Sequence, residues 1–226
     1  MEVKVVRDIM KINDNVAASN HEMLAGRGIV TLNLVSSPGA GKTSLLEKTL
    51  EILKGEIAVG VVEGDVNTSH DAEKIAAHDV PVVQVNTGGP AGGSCHLDAG
   101  MVKEGLAALE LDGLQLLFIE NVGNLICTAS YKLGEDRKVT FVSVTEGEDK
   151  PVKYPLIFRN ADAIVITKTD LIPHLDFDME KLYGHIREVN PEAPVIECSA
   201  RTGEGMDTWI AYIRQTSEDV RAKRGD

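Results

Sequence analysis

GIVTLNLVSSPGAGKTSLLEKTL, residues 28–50, runs from an apolar, β-branched strand through a turn of Ser, Pro and Gly straight into a helical pattern. In that turn, Ser36-Ser37-Pro38-Gly39-Ala40-Gly41-Lys42-Thr43, the glycines let successive backbone N–H groups curl inward around phosphate oxygens. The amino end of the following helix adds favourable partial charge, Lys42 neutralises β- and γ-phosphates, and the Thr43 hydroxyl is available to Mg²⁺. Pro38, Gly39, Ala40, Gly41 and Ser44 make up the rest of the expected phosphate loop, with Ser36 standing where the full pattern has its first glycine. Gly-Lys-[Ser/Thr] alone would arise by chance in about one chain in ten of this length, so its place between strand and helix and the motifs downstream carry the reading.

Outward from this unit the chain keeps alternating. EIAVGVVEGD, VPVVQV, LQLLFIEN, KVTFVSVTEG, ADAIVIT and APVIECSA read as strands, and helical spacing recurs at 42–53, near 69–78, at 98–110 and at 204–218. Near-continuous Val/Ile/Leu strands separated by helices indicate a mainly parallel sheet covered on both faces. The expected fold is α/β, a doubly wound P-loop NTPase domain over residues 28–226. Ahead of it, an amino-terminal helical arm over 1–27 is expected, with Ile9, Ile12, Val16, Met23 and Leu24 as its apolar side and Gly26 and Gly28 as its stop. RAKRGD at the other terminus reads as a frayed, solvated end.

With 226 residues, 43% of them hydrophobic, the chain can bury one ordinary core. A formal net charge of −12 sets its field against a bare phosphodiester backbone, which argues against nucleic acid as a main partner. No apolar run reaches the roughly 20 residues of a membrane span, and the first residues show no secretory pattern, so a cytoplasmic protein is expected. Three cysteines give no disulfide framework and leave metal binding or burial as their uses.

Thr167-Lys168-Thr169-Asp170, after the strand ADAIVI, resembles the guanine-recognition element of GTPases. A carboxylate at Asp170 can accept from both the ring N–H and the amino group of guanine, whereas adenine would face it with a lone pair. Lys168 can lay its stem along the base. Thr167 replaces the usual asparagine, which is expected to weaken the tie between this loop and the phosphate loop. Ser199-Ala200, after APVIEC, resembles the last GTPase motif, whose backbone N–H meets the guanine carbonyl. Between these, Glu120-Asn121-Val122-Gly123 stands where GTPases carry Asp-x-x-Gly; the carboxylate would hold magnesium directly or through water, and Gly123 N–H would reach the γ-phosphate. Asp65, at the carboxyl end of another strand, is assigned to magnesium or to the attacking water. Asn124 occupies the place after Gly123 where a water-orienting glutamine could stand, so slow hydrolysis is expected, on the order of 10⁻⁴ to 10⁻² per second.

Cys95-His96 lies in the glycine-rich TGGPAGGSCHLDAG, and Cys127 stands four residues beyond Gly123. Thiolate and imidazole suit Zn²⁺ and Ni²⁺, but three ligands are one short of a closed structural zinc site. Adjacent residues diverge on a helix or strand, so Cys95 and His96 can serve one ion only from a bend, which Gly92, Gly93 and Ser94 can supply, or by facing a second subunit. An open or subunit-shared site for transient binding follows. The remaining histidines, 21, 70, 78, 174 and 185, are scattered singly and read as surface or satisfied core residues.

In order along residues 8–216, SSPGAGKTSLLE, EGDV, GGSCHLDA, FIENVGNLICTA, SVTEGEDKPVKYP and TKTDL resemble the nickel-insertion GTPases. The amino-terminal arm places the resemblance with the hydrogenase branch, and the urease accessory branch is the nearest alternative. The resemblance implies a SIMIBI-type GTPase that hydrolyses GTP to GDP, dimerises with nucleotide, and delivers nickel to a hydrogenase large-subunit precursor with a zinc-containing nickel-delivery partner. It implies catalytic roles for Lys42, Asp65 and Glu120, a magnesium shell of Thr43, Asp65 and Glu120, and a metal site of Cys95, His96 and Cys127 at the dimer interface. Lys150 and Lys153, in the Lys-Pro-x-Lys-Tyr-Pro block, are implied contacts to the partner's nucleotide. Many members begin with a cysteine- or histidine-rich nickel motif that MEVKVVRDIMKI lacks, which leaves metal work to the three later ligands, where Zn²⁺ competes with Ni²⁺. The rival outside this class is a P-loop ATPase or small-molecule kinase in which the cysteines and histidine play no metal role.

Overall fold

Seven strands form one sheet in the computed structural model, which describes residues 9–66, 69–88 and 93–225. Residues 1–8 of the expected arm and Gly92 of the expected bend lie outside the described residues. The strands are β1 (Val30–Ser36), β2 (Val59–Asp65), β3 (Val82–Asn86), β4 (Leu116–Glu120), β5 (Arg137–Ser143), β6 (Ala163–Thr167) and β7 (Val195–Cys198). Their spatial order is β3-β2-β4-β1-β5-β6-β7, and every neighbouring pair is parallel. Helices α1 (Ile9–Ala25), α2 (Lys42–Leu53), α3 (His70–Ala76), α4 (Ala99–Ala108), α5 (Lys150–Lys153), α6 (Pro155–Arg159), α7 (Met179–Val189) and α8 (Met206–Arg224) supply the crossovers and the flanks. Among the described residues no helix is long and apolar enough to cross a membrane.

Strand alternation sorts the core. Val30, Leu32 and Leu34 of β1, Val59 and Val61 of β2, Leu116 and Phe118 of β4, Val139 and Phe141 of β5, and Ala163 and Val165 of β6 share one face. That face is covered by Leu45, Leu46, Leu50 and Leu53 of α2, Ile75 of α3, and Trp209, Ile210 and Ile213 of α8. The opposite face divides in two. Val62, Leu117 and Ile119 pack with α4 and with Leu24 of α1, and Val35, Val142, Ile164 and Ile166 pack with α6 and α7. Because both faces are dry, the strands read as continuous apolar runs.

Three local expectations differ. RAKRGD is not a loose end: α8 continues to Arg224, whose guanidinium donates to Ile29 O at 3.0 Å and to Asp136 Oδ1 at 2.6 Å. On α1 the buried positions are Asn13, Ala17, Asn20 and Leu24, while Ile12 is half exposed, so the inward stripe is partly amide and partly apolar. α5, α6 and α7 were not expected from the pattern. The first two are single turns opened by Pro151 and Pro155, too short to show a 3.6-residue period.

Trp209 is the largest fully buried side chain; its Nε1–H donates to Thr49 Oγ1 at 2.9 Å, and Phe141 meets its ring edge-on. Trp209→Ala would open a void between α2, α8 and the sheet, and is expected to lower unfolding free energy by about 3–5 kcal/mol, read as a fall in the urea midpoint at unchanged slope.

Candidate nucleotide and metal site

The same alternation that sorts the core delivers polar side chains to one edge. Ser36 continues the side of Leu32 and Leu34, Glu63 and Asp65 that of Val61, Glu120 that of Phe118, and Thr167 that of Val165, so all five reach the α2 side of the sheet at the carboxyl ends of their strands. There α2 begins with Lys42. A cavity of about 500 Å³ opens over this edge, lined by residues 38–44, Glu63 to Val66, Asp71, Lys74, residues 120–123 and Lys168.

Lys42 is buried, and its Nζ donates to Ser36 Oγ at 2.7 Å. The serine at the first-glycine position is thus the lysine's resting partner. Burial lowers the Lys42 pKa, opposed by Glu120, Asp71, Glu63 and Glu146. Glu120 is buried too; desolvation raises its pKa, against Lys42 and the Thr43 hydroxyl, which donates to Glu120 Oε1 at 2.7 Å. Glu63, paired in register with Glu120 across β2 and β4, is pushed up to about 8 by burial first and by Glu120, Asp65 and Asp71 next. Among the described residues, Glu63 Oε2 and Glu120 Oε2 are buried with no hydrogen-bond partner. Two uncompensated buried carboxylate oxygens beside a threonine hydroxyl form an all-oxygen donor set, which fits a hard cation such as Mg²⁺.

Gly123 follows directly. A Cβ built on it would lie 2.8 Å from Pro38 Cα, so only glycine lets the β4 loop close on the phosphate loop. Asn124 does not line the cavity; its Oδ1 accepts from the N–H groups of Ile126 and Cys127, both at 2.7 Å, folding the turn Cys127–Ala129.

A second cavity, about 220 Å³, shares Gly41, Ser44 and Lys168 with the first and adds Leu45, Thr167, Asp170, Leu171, Ala200 and Arg201. The tie expected to be weakened at Thr167 is present: its hydroxyl donates to Ala40 O at 2.6 Å, and Lys168 Nζ donates to Gly39 O at 2.6 Å. The tie survives because one hydroxyl proton is enough to reach this carbonyl. Ser199 is buried and its Oγ donates to Asp170 Oδ1 at 2.7 Å, fixing the carboxylate over the slot.

Cys95, His96 and Cys127 meet within one chain, their ligand atoms all within 4.8 Å of one another, with Cys95 and His96 in the bend ahead of α4. The two sulfurs are 2.7 Å apart, and Cys95 Sγ lies 3.9 Å from His96 Nδ1. Desolvation lowers the His96 pKa against Asp98, favouring the neutral ring that binds metals, and Tyr131 packs on that ring with centroids 4.0 Å apart. Hydrogen bonding with Cys95 is the first cause that raises the Cys127 thiol.

Residues 30–197 match the family model described as CobW/HypB/UreG, nucleotide-binding domain. The chain belongs to this family. It is 53% identical to the hydrogenase maturation factor HypB of Azotobacter chroococcum over 224 residues, covering 98% of this chain and 72% of that one. The crystal structure of hydrogenase maturation factor HypB from Archaeoglobus fulgidus superposes with a TM-score of 0.84 at 39% identity, covering 92% of this chain and 99% of that one. HypB from Helicobacter pylori in complex with nickel gives 0.86 at 33% identity over 92% and 96%. Within the family the chain stands with the HypB hydrogenase maturation factors.

Of the expected nucleotide residues, Ser199 stands behind the second cavity through its bond to Asp170, and Lys150 and Lys153 line neither cavity. Lys153 pairs with Asp149 at 2.5 Å and Lys150 lies over the Tyr154 ring. Glu63, Asp71, Lys74 and Arg201 were missed. For Glu63 the signal was present, since it stands two residues before Asp65 on the same side of a strand. Thiol chemistry separates the cysteines: Cys95 is exposed and Cys127 half-buried, while Cys198 is sealed in the core with burial pushing its thiol up to about 12. Titration of the metal-free protein with a disulfide reagent at pH 8 should therefore count two fast thiols, the third appearing only in denaturant; three fast thiols would contradict this packing.

Proposed function

We propose that this chain is a GTPase of nickel delivery: it binds GTP with Mg²⁺ over residues 38–44, holds Ni²⁺ or Zn²⁺ at Cys95, His96 and Cys127, and assists nickel insertion into a [NiFe]-hydrogenase large-subunit precursor. One observation carries the reading, the adjacency of the two sites. Asn121, next to Glu120, accepts from Leu97 N–H at 3.1 Å, and Leu97 follows His96. Asn124, next to Gly123, folds the turn that presents Cys127. Both metal-bearing segments are therefore hydrogen-bonded to the loop that closes on the phosphates, and a change in that loop reaches both.

Lys42 would leave Ser36 to neutralise β- and γ-phosphate oxygens. Thr43, Asp65 and Glu120 would hold Mg²⁺, which neutralises charge on the transferring phosphoryl group. Gly123 N–H senses the γ-phosphate, and the slot at Thr167, Lys168, Asp170, Ser199 and Ala200 takes guanine, with Asp170 as the discriminating acceptor. Asp65 serves either this Mg²⁺ or the attacking water. With Asn124 committed to the backbone, unassisted turnover stays at about 10⁻⁴ to 10⁻² per second. GTP pairs two copies, bringing Lys153 toward the partner's nucleotide. Nickel is cargo, received with a zinc-containing delivery partner in the cytoplasm, where unpaired cysteines stay reduced.

Asp170→Asn is expected to cost GTP at least about tenfold in affinity relative to ATP, since a hydrogen bond to a charged acceptor is lost; competition with labelled GTP reads it, and an unchanged preference would move the base site elsewhere. Titrating Ni²⁺ in the presence of a nonhydrolysable GTP analogue and of GDP should give different affinities and different oligomer sizes. Asn121→Leu should level the two affinities. Equal values in the unmodified chain would remove the coupling.

A further inference from the structure

α1 turns two asparagines into the protein. Asn13 and Asn20 are buried on the side that also carries Ala17 and Leu24, an expensive use of a helix face unless every amide group is matched. Each is matched twice. Asn13 Nδ2–H donates to Lys132 O at 2.9 Å while its Oδ1 accepts from Ala99 N–H at 2.9 Å. Asn20 Nδ2–H donates to Ala99 O at 2.9 Å and to Leu133 O at 3.0 Å. Ala99 opens α4 just after Cys95-His96, and Lys132 and Leu133 lie on the irregular segment between the Cys127 turn and β5. One helix face thus bonds the backbone leaving His96 to the backbone leaving Cys127.

Two further features hold this arrangement. A Cβ on Gly134, whose φ is 109°, would fall 2.7 Å from Asn20 Cβ and 3.0 Å from Ala17 O, so the segment comes close enough for these bonds only because 134 is glycine. The far side of the same segment is anchored to β5, where Lys138 Nζ donates to Thr128 O at 3.3 Å and Tyr131 O at 3.1 Å, and to the end of α6, where Asn160 Nδ2 donates to Ala129 O at 3.1 Å. Between α1 and β5 lies a cavity of about 640 Å³ bordered by Ala17, His21, Ala129 and Lys138, so apolar packing alone does not seat the segment there.

We propose that α1, through Asn13 and Asn20, is the positioning element of the Cys/His site, setting the separation of its two ligand-bearing segments and hence its metal affinity. The inference rests on the metal reading above. Three donors from two loops chelate well only when the loops are held apart at a fixed distance, and outer supports of metal sites carry roughly 10- to 100-fold in affinity.

The test is Ni²⁺ titration of the full chain, with competition by a chromophoric chelator and with Co²⁺ absorption to report thiolate geometry. Asn20→Leu and Asn13→Leu should each weaken Ni²⁺ by about tenfold or more and alter the Co²⁺ thiolate band, with GTP affinity unchanged within about twofold. Leu24→Ala, on the same helix face but outside the bonds, should lower the thermal midpoint and leave Ni²⁺ affinity as in the unmodified chain. Gly134→Ala, which pushes the segment off α1 while leaving both asparagines in the sequence, should weaken Ni²⁺ as the asparagine variants do. The inference is overturned by asparagine variants that bind Ni²⁺ as the unmodified chain does, or by Leu24→Ala losing as much affinity as Asn20→Leu. Failure of the unmodified chain to bind Ni²⁺ or Zn²⁺ would instead remove the metal reading, and the positioning role with it.

Discussion

A lysine and two carboxylates share a buried corner of this protein, and the rest of the site is arranged around them. Lys42, Glu63 and Glu120 sit at the carboxyl edge of the sheet, each displaced from its ordinary pKa chiefly by desolvation. Such a cluster is tolerable because opposite charges adjoin, yet two of its oxygens remain unmatched. Strand alternation makes the corner unavoidable: a residue that continues the α2-facing side of β1, β2, β4 or β6 past the last apolar position emerges beside the first turn of α2. A parallel sheet with its central strand feeding that helix therefore concentrates functional groups from distant parts of the chain without any loop having to reach.

Asparagine carries the longer-range order. Asn121 links β4 to the segment leaving His96, Asn124 shapes the Cys127 turn, and Asn13 and Asn20 bridge the same two segments from behind. A short side chain with both a donor and an acceptor is suited to stitching backbone to backbone where a loop has no ladder of its own. The loops that bear the sulfur and imidazole donors are thus framed on the nucleotide side by one pair of amides and on the opposite side by another, with β5 supporting them through Lys138.

The sheet and the phosphate loop were legible because both faces are dry, and seven apolar runs punctuated by Gly and Pro can be read directly as strands. The site residues at strand ends followed from motif chemistry, and the Cys95, His96 and Cys127 grouping from ligand type. What escaped had physical reasons. Single-turn helices such as α5 and α6 contain no period to detect. α7 does carry one, in Met179, Leu182, Tyr183 and Ile186, behind an Asp178 cap, and it went unread between two stronger signals. The inward face of α1 was misread because amides, not aliphatic side chains, occupy half of it, and burial of Asn13 and Asn20 is decided by partners more than 75 residues away, which no local window contains. Thr167 was judged by the asparagine it replaces, whereas the short reach to Ala40 O makes a hydroxyl sufficient.

β1 lies at the centre of the sheet, yet its two neighbours are β4 and β5, whose residues begin at 116 and 137. Closing such distant pairings costs loop entropy before any of it is returned, which slows acquisition of native topology. During synthesis the nucleotide loop would emerge early but lack its β4 wall until Leu116–Glu120 had followed, and its base-side wall until Thr167 to Ala200 had. Its strand, with Val30, Leu32 and Leu34 along one side, would meanwhile be an exposed sticky segment in need of chaperoning.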